Sequence, residues 1–205
     1  MLGVIVTIIE FFKYFGVSLS AFVGVKSSVS KLKQLKTEKI RKRNIAYHNK
    51  IASVYPVIQE ALHSYEEIDR VTVFRSHNGN GIPQIGKQSY TSCIQEVITS
   101  KTTSITERWQ NIPNDELMVK SITAMMMKGS AMLPTYAADC TNGILTDFCK
   151  GNNIKCVLAV PITYTDSGFI FLNFCSATCK DLTNVEGIVF EANSCAGRVR
   201  ELIEK

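Results

Sequence analysis

The chain has 205 residues, of which 45% are hydrophobic and 20% are charged. This composition excludes a disordered chain, and the length fits one domain with an extension or two small domains. The net charge of +5 comes from one short block, because residues 26–43 hold eight Lys or Arg residues and a single Glu. The rest of the chain is close to neutral, so we do not expect nucleic acid as a partner.

Residues 1–25 form an apolar segment with only two charged side chains, Glu10 and Lys13, which can pair on one helix face. About 20 apolar residues are enough to cross a bilayer, so the segment predicts a transmembrane helix. A helix that lies on the membrane or packs on the protein is the alternative. Because the basic block 26–43 follows, the positive-inside rule predicts a single-pass protein of the inner (cytoplasmic) membrane whose C-terminal domain is in the cytoplasm. The block itself is expected to contact anionic lipid.

The seven cysteines are odd in number and have no regular spacing. A small secreted scaffold would have an even, regular framework, so free thiols in a reducing compartment are expected. Cys175 and Cys179 lie four positions apart, but no further ligand motif accompanies them. A structural zinc site needs four ligands, so the sequence predicts no metal site.

Residues 26–49 predict a basic helical stalk, and the residues after it predict a helix that packs on a core. Apolar side chains recur at helical spacing from Ile51 to Tyr65. Pro56 interrupts this pattern, and proline removes a backbone donor from a helix. We therefore expect a kink or a new helix start near Pro56.

The stretch Arg70–Ser76 has the alternating, β-branched pattern of a strand and runs into a loop rich in Asn and Gly, Ser76–Gly81. Residues Gln88–Thr99 predict a short helix. The middle of the chain has weaker patterns, although Leu117–Leu133 contains five methionines. Such a stretch suits either an adaptable pocket wall or irregular filling of a core.

The C-terminal third has the clearest pattern. Cys156–Thr163 is an almost continuous apolar run that predicts a buried strand, and Phe169–Cys175 predicts the returning strand of a hairpin. Thr183 and Glu186 predict a capping box at the start of a final helix. One face of that helix is apolar: Val185, Ile188, Val189, Ala192, Cys195, Ala196, Val199, Leu202 and Ile203.

The order of these elements, and above all VLAVPITYTDSGFIFLNF followed by DLTNVEGIVFEANSCAGRVRELI, resembles the GAF domain family. GAF domains typically have an apolar strand that ends in a Val-Pro pair, a hairpin with Gly, a second apolar strand and a capped C-terminal helix. The resemblance covers residues 50–205. It implies an α+β fold with a GAF/PAS-like central antiparallel sheet flanked by helices, the N- and C-terminal helices forming one face.

A more specific resemblance is to membrane-anchored GAF-like proteins of phages and bacteria. These proteins run an Arg-Val strand into His-Asn-Gly and place a glutamate about twenty residues later. The matching positions are Arg70, His77, Asn78, Gly79 and Glu96.

The resemblance also has implications for partners. GAF domains commonly pair through their terminal helices, which implies a homodimer. A small ligand, where there is one, lies between the sheet and the helices and loops of the middle region. The Asn-Lys-Phe-Asp-Glu set of cyclic-nucleotide binders is absent and no bilin-binding cysteine can be assigned, so the cofactor is unknown.

The loop Ser76–Gly81 has three interpretations. A phosphate-binding loop would need a Gly-Lys-Ser/Thr ending, which is missing. A catalytic His77 would need a nucleophile and an orienting partner such as Glu96, and no motif supplies the nucleophile. We favour a tight turn in which Gly takes a positive φ and His77 holds the loop, with a ligand-contacting loop as the second choice.

We therefore expect a membrane-tethered, non-enzymatic sensory or regulatory module that binds a small ligand or a protein partner. Its polar ligand contacts are predicted to be Arg75, His77, Asn78 and Glu96, and Trp109 and Tyr136 are predicted to join the methionines in an apolar wall. One alternative is a structural scaffold of a membrane-bound assembly. Another is a redox enzyme that uses Cys140, Cys149 or Cys156.

Overall fold

The computed structural model describes residues 2–79, 87–130, 135–137, 143–177 and 182–205, and for residues 2–29 it describes the backbone only. The chain divides into two compact units, Met1–Asn49 and Lys50–Lys205. Helix α1 spans Leu2–His63, so the first unit is helical, as the predicted stalk over 26–49 requires. In that unit Arg41 forms an exposed ion pair with Glu38, at 3.0 Å between Nη2 and Oε1.

The predicted membrane helix falls on residues whose side chains the structure leaves undescribed. Among the residues it does describe, no helix is both long enough and apolar enough to cross a membrane. The structure therefore gives no support to a transmembrane helix over residues 1–25, which stays a prediction from the sequence.

Pro56 lies inside α1 and does not start a new helix. A proline in a helix removes one backbone hydrogen bond, a loss that packing on the same helix can offset. Val54, Ile58 and Ala61, on either side of the proline, have no exposed surface and belong to the core. Tertiary burial therefore holds this part of α1 helical through the proline.

The second unit contains a six-stranded antiparallel sheet in the order β3-β2-β1-β6-β5-β4. The strands are β1 Arg70–His77, β2 Tyr90–Ile98, β3 Ile112–Pro113, β4 Thr135–Tyr136, β5 Cys156–Thr165 and β6 Gly168–Ser176. The other helices are α2 Glu116–Lys128, α3 Ile144–Gly151 and α4 Val185–Glu204. The predicted strands at 70–76, 156–163 and 169–175 are thus confirmed within two residues at their ends.

Both faces of the sheet are covered. On one face, the residues of α1 after Asn49 and those of α4 pack against Val71, Leu158, Leu172 and their neighbours. On the other face, α2 and α3 pack against Phe74, Phe171 and their neighbours. A sheet buried on both sides explains the near-continuous apolar runs of β5 and β6, and it confirms the predicted placement of the terminal helices on one face.

The helix predicted over Gln88–Thr99 is wrong, because most of this range, Tyr90–Ile98, forms strand β2. A bulge explains the misleading pattern: Val73 pairs with Gln95 and Phe74 pairs with Cys93, which leaves Ile94 as an extra residue. Ile94 and Val97 consequently pack against the same core cluster although they are three positions apart. In a regular strand that spacing would put them on opposite faces, so the bulge imitates helical periodicity.

The predicted capping box at α4 is also wrong in its residues. The helix begins after Asn184, whose side-chain oxygen accepts a hydrogen bond from the Gly187 N–H at 3.0 Å. Thr183 instead donates both its hydroxyl and its backbone N–H to the Glu67 carboxylate. The predicted apolar face is confirmed, since its members are buried or half-buried, the buried ones being Ile188, Ala192, Cys195, Ala196, Val199 and Ile203.

The hairpin between β5 and β6 depends on Gly168, which has a φ of +141° and opens β6. A methyl group at this position would overlap the carbonyl oxygen of Ser76 in the adjacent strand. We expect Gly168→Ala to lower the free energy of unfolding by about 2 kcal/mol or more, because it combines backbone strain with a clash against main chain.

Urea unfolding followed by circular dichroism would check this, with Gly197→Ala as the matched control. Gly197 is in α4 and has open space around it, so alanine there should raise stability by up to about 1 kcal/mol. Equal stability of the two variants would contradict the close approach of β1 and β6 at Gly168.

Candidate functional site

The six residues predicted to contact a ligand do not lie together. Arg75, His77 and Asn78 lie at or just beyond the C-terminal end of β1, whereas Glu96 pairs in register with Thr72, five residues back along that strand. At about 3.4 Å per residue, five residues separate the two places by roughly 17 Å. Glu96 therefore does not orient His77.

His77 holds the loop that follows β1. Its side chain is 2% exposed and stacks on Tyr90, with the ring centroids 6.1 Å apart. Its Nδ1 accepts a hydrogen bond from the Gly79 N–H at 3.1 Å, and Nε2 lies 3.0 Å from the Ser92 hydroxyl oxygen. Gly79 has a φ of +92°, so the favoured interpretation of a turn held by His77 is confirmed up to this glycine. Residues 80–86 lie outside the described part of the chain.

This geometry does not make His77 a general base toward Ser92. An imidazole nitrogen that accepts a hydrogen bond carries no proton, so in neutral His77 the proton is on Nε2. Nε2 then donates to Ser92, whereas activation of a serine needs Nε2 to accept its proton. The Ser92 oxygen also accepts from the Asn111 N–H at 2.9 Å. The pair is a structural connection between β1, β2 and the segment before β3.

Arg75 affects His77 electrostatically. Burial lowers the pKa of His77 below its ordinary value, and the nearby positive charge of Arg75 lowers it further. The Nε of Arg75 is buried without a hydrogen-bond partner among the described residues. Asn78 follows at the edge of the loop and is half-buried.

Glu96 belongs to a buried ion pair with Arg70, whose Nε lies 2.9 Å from Glu96 Oε1 without the alignment of a hydrogen bond. The two side chains are 1% and 4% exposed. The carboxylate also accepts hydrogen bonds from the Ile105 N–H and from the hydroxyls of Ser104 and Thr106. Four protein groups thus surround Glu96, and its position is that of a structural residue that fixes the 104–106 turn.

The two aromatic candidates lie in different packing clusters. Trp109 packs edge-to-face on Phe148, with the ring centroids 4.5 Å apart, in the cluster that also contains Phe74. Tyr136 is half-buried on the short strand β4 and packs against the cluster that contains α1 and α4. The structure therefore does not bring Trp109 and Tyr136 into one ligand-contacting wall.

A cavity of about 320 Å³ lies instead between α2, α3 and the β5–β6 hairpin. None of the six predicted residues is among the described residues that line it. Two of the methionines in α2, Met118 and Met125, do line it while belonging to the core as well. Its other lining residues are Lys120, Ser121, Ile122, Ala124, Thr135, Leu145, Val157, Ala159, Phe171 and Asn173.

Asn173 is the polar residue that distinguishes this cavity. It is 6% exposed and lies in the middle of β6, where all nine residues are buried. Its Oδ1 is enclosed and has no hydrogen-bond partner within the described ranges. Buried polar atoms are nearly always paired, so each exception requires an explanation such as an absent ligand or water.

Asn173 belongs to a row of polar residues across the sheet. It pairs in register with Thr72 on β1, and Thr72 pairs with Glu96 on β2. Residues directly opposite in adjacent strands project to the same face. The Thr72 hydroxyl has no exposed surface and likewise lacks a partner among the described residues. At one end of this row the Glu96 carboxylate has hydrogen-bond partners. At the other end, Asn173 Oδ1 has no hydrogen-bond partner among the described residues.

The thiols of the described residues are enclosed in the core, since Cys93, Cys149, Cys156, Cys175 and Cys195 are all buried. Burial raises the pKa of Cys93 and of Cys195 to about 12 and also raises the pKa of Cys175. A redox cysteine needs access, so the burial of the two described candidates, Cys149 and Cys156, does not favour the redox alternative; Cys140 lies outside the described residues. The described residues also contain no cluster of three metal-ligating side chains.

Solved structures with the same fold are GAF domains. A GAF domain/HD domain protein from Geobacter sulfurreducens aligns with a TM-score of 0.50 at 10% identity, over 75% of this chain and 94% of that one. A photoproduct-state GAF domain from Synechocystis aligns with a TM-score of 0.50 at 14% identity, over 73% and 92%. A far-red-absorbing dark state with bound biliverdin aligns with a TM-score of 0.50 at 12% identity, over 78% and 97%. No protein-family model and no curated protein matches the sequence.

These similarities confirm the fold that the sequence resemblance implied. The second unit of the chain has a GAF-like fold, with the antiparallel sheet between two helical layers. At such low identities the similarity concerns the fold, and the site must be argued from the residues of this chain.

The environment of His77 generates a prediction about pH. Because its pKa in the folded state is lowered from 6.5, the unfolded chain binds the proton more readily than the folded one. The free energy of unfolding should therefore fall as the pH drops below about 6.5 and should level off below the lowered pKa. Urea unfolding between pH 8 and pH 5 measures this slope.

The matched control is His77→Gln, which keeps hydrogen-bonding groups at this position but does not titrate. The difference in stability between the wild type and this variant should decrease as the pH falls. A difference that is constant across the range would mean that His77 has no depressed pKa in the folded protein.

Proposed function

We propose that this protein is a sensory or regulatory module whose GAF-like domain binds a small molecule in the cavity between α2, α3 and the β5–β6 hairpin. The observation that carries the proposal is the cavity itself, which is walled by apolar side chains of α2, β5 and β6 and by the largely buried Asn173.

Two properties of the cavity support a binding role. Its volume of about 320 Å³ is within the range of roughly 300–1,000 Å³ that is usual for ligand sites. Its wall is mainly apolar with a few polar groups, the composition that fixes the orientation of a ligand in many proteins. The methionines of α2 give the wall side chains that can adapt to the shape of a ligand.

Native mass spectrometry of the full chain purified from cells would test this proposal. We expect an additional mass on the wild-type protein that is lost in Ala159→Phe, because a phenyl ring at this lining position fills the cavity. Ala46→Phe, at an exposed position of the first unit, is the matched control and should keep the mass. A wild-type protein without any additional mass, or a mass that both variants retain, would contradict binding in this cavity.

The same spectra report the oligomeric state. We propose that the terminal helices pair with those of a second copy, as the resemblance implied. This is supported by Phe190, whose side chain is 74% exposed on α4. A homodimer would cover this side chain, and dimer masses are therefore expected.

We also propose that residues 1–25 attach the protein to the cytoplasmic membrane, with the GAF-like domain in the cytoplasm. The support is the sequence, in which an apolar segment with two charges precedes the basic block. Deletion of residues 2–25 should move the protein from the membrane pellet to the soluble fraction after cell lysis. Retention in the pellet, with a correctly folded domain, would show that this segment is not the anchor.

A further inference from the structure

The stalk part of α1 has an exposed and strongly basic surface. Residues 30–46 are exposed apart from the half-buried Glu38, and they include seven Lys or Arg residues. We propose that one side of this segment docks on the surface of an anionic lipid bilayer. The inference goes beyond ligand binding, since it needs no molecule in the cavity. It rests on the proposed membrane attachment in one respect, the position of the segment just after residues 1–25.

Helical spacing gathers positive side chains on one side of the segment. Leu32, Lys36, Lys39 and Arg43 follow one another at intervals of four, three and four residues. Residues three or four apart are neighbours on a helix surface, so these side chains form one row. Two further residues adjoin the row at the same spacing, and together they make up the basic face: Lys31, Leu32, Leu35, Lys36, Lys39 and Arg43.

The opposite side of the segment is mostly uncharged. Polar residues recur there at the same intervals, and their row lies roughly 160° around the helix from the row that begins at Leu32, at about 100° per residue. The members of this polar row are Ser30, Gln34, Thr37, Arg41, Asn44 and His48. The segment therefore has a cationic side and a polar side.

Nearby acids do not match the positive charge of the basic face. Glu38 is the one acid of the basic block, and its Oε1 lies 3.0 Å from Nη2 of Arg41 in the polar row. Lys31, Lys36 and Lys39 form no ion pair within the part of the chain that the structure describes. The basic face is therefore suited to an anionic partner.

The apolar members of the basic face fit a bilayer surface. Leu32 and Leu35 are 65% and 67% exposed, although they lie among lysines. The aliphatic stem of a lysine can lie along apolar groups while its ammonium group reaches a phosphate. On a bilayer, leucines enter the boundary between headgroups and acyl chains, and each cation gains from the negative surface potential. One surface thereby accommodates both kinds of side chain.

Other occupants suit only part of the basic face. If two copies of this chain met through it, like charges would repel. A nucleic acid would pair with the lysines through its phosphates but would leave Leu32 and Leu35 in water. The basic face also has no aromatic side chain on which a base could stack. These arguments favour the anionic bilayer.

The contact orients the stalk on the membrane. Helix α1 is continuous from Leu2 to His63, so a basic face that lies on the bilayer brings residues 1–25 along the same surface. This is the alternative to a spanning helix. The basic face extends over about 18 Å of helix, and a shallow electrostatic contact of this kind is weakened by salt. It is therefore expected to be released after cell lysis once residues 2–25 are deleted.

Limited proteolysis of the full chain on lipid vesicles tests this contact, because trypsin cleaves after Lys and Arg. Cleavage after Arg43, followed by mass spectrometry, should be about tenfold slower when about a third of the phosphatidylcholine is replaced by phosphatidylglycerol. About 1 M salt, at which the Debye length is about 3 Å, should remove the difference. Cleavage after Lys101, an exposed residue of the second unit, corrects for effects of the lipids on trypsin.

A variant with relocated charges separates the basic face from the net charge. Lys36→Thr with Thr37→Lys, combined with Lys39→Asn and Asn44→Lys, moves two lysines away from the face and leaves the composition unchanged. Each relocated lysine should weaken the contact about fivefold, so the protection should be largely lost. Arg41→Gln, in the polar row, is the matched control and should keep the protection.

Three results would overturn the proposal. Equal cleavage after Arg43 on the two kinds of vesicle would mean that the stalk leads away from the bilayer, as it would after a spanning helix. Full protection in the variant with relocated charges would mean that the net charge, and not the basic face, is responsible. Protection by a DNA duplex without protection by anionic vesicles would assign the basic face to nucleic acid.

These failures are distinguishable from failure of the proposed attachment. If deletion of residues 2–25 releases the protein but trypsin cleaves equally on both kinds of vesicle, the attachment stands and the docking fails. If the deleted protein stays in the pellet and the full chain is protected on anionic vesicles, the basic face, and not residues 1–25, is the membrane contact.

Discussion

Strand β6 imposes the main physical constraint on this domain, because all nine of its residues are buried. It lies between β1 and β5, so its backbone is paired on both edges and its side chains must be covered on both faces. The terminal helices cover one face, and α2 and α3 cover the other. A polar side chain in this strand has no access to bulk water and needs a partner from the protein or from a ligand. Asn173 is therefore the residue whose presence most requires a functional explanation.

Glu96 and Asn173 belong to the same polar row but have different surroundings. The Glu96 carboxylate is surrounded by a guanidinium, two hydroxyls and a backbone N–H. Removing one member of such a buried pair usually costs about 3–5 kcal/mol, because the other charge is left buried without a counter-ion. Asn173 lies two strands away on the same row, beside an apolar cavity, and its oxygen is left unpaired.

The sequence predicted the elements whose pattern follows directly from burial. Continuous apolar runs identified β5 and β6, alternation identified β1, and helical spacing identified the buried face of α4. It did not predict β2, because the extra residue Ile94 shifts the alternation at the bulge. Local patterns contain no information about such a bulge, which arises from the register between two strands distant in sequence.

The residues that line the candidate cavity were harder to predict for a related reason. His77, Glu96 and Trp109 have the side chains that binding sites use, but here each has a structural role in a turn, an ion pair or an aromatic cluster. Sequence reasoning did not single out Asn173, the one polar residue in the apolar run FIFLNFC. A single polar residue in a fully buried strand points to a binding site only when its hydrogen-bond partners are known. Those partners depend on how α2 and β5 pack around it, which the sequence pattern does not show.

The most direct test of this account is a high-resolution crystal structure of the full chain as purified from cells, without added ligand. The account predicts electron density for a small molecule between α2 and the β5–β6 hairpin, in contact with lining residues such as Met118, Ala159 and Asn173. A cavity closed by its own side chains, with the Asn173 carboxamide hydrogen-bonded to Thr72, would contradict it. In that case the polar row would be a self-contained part of the core.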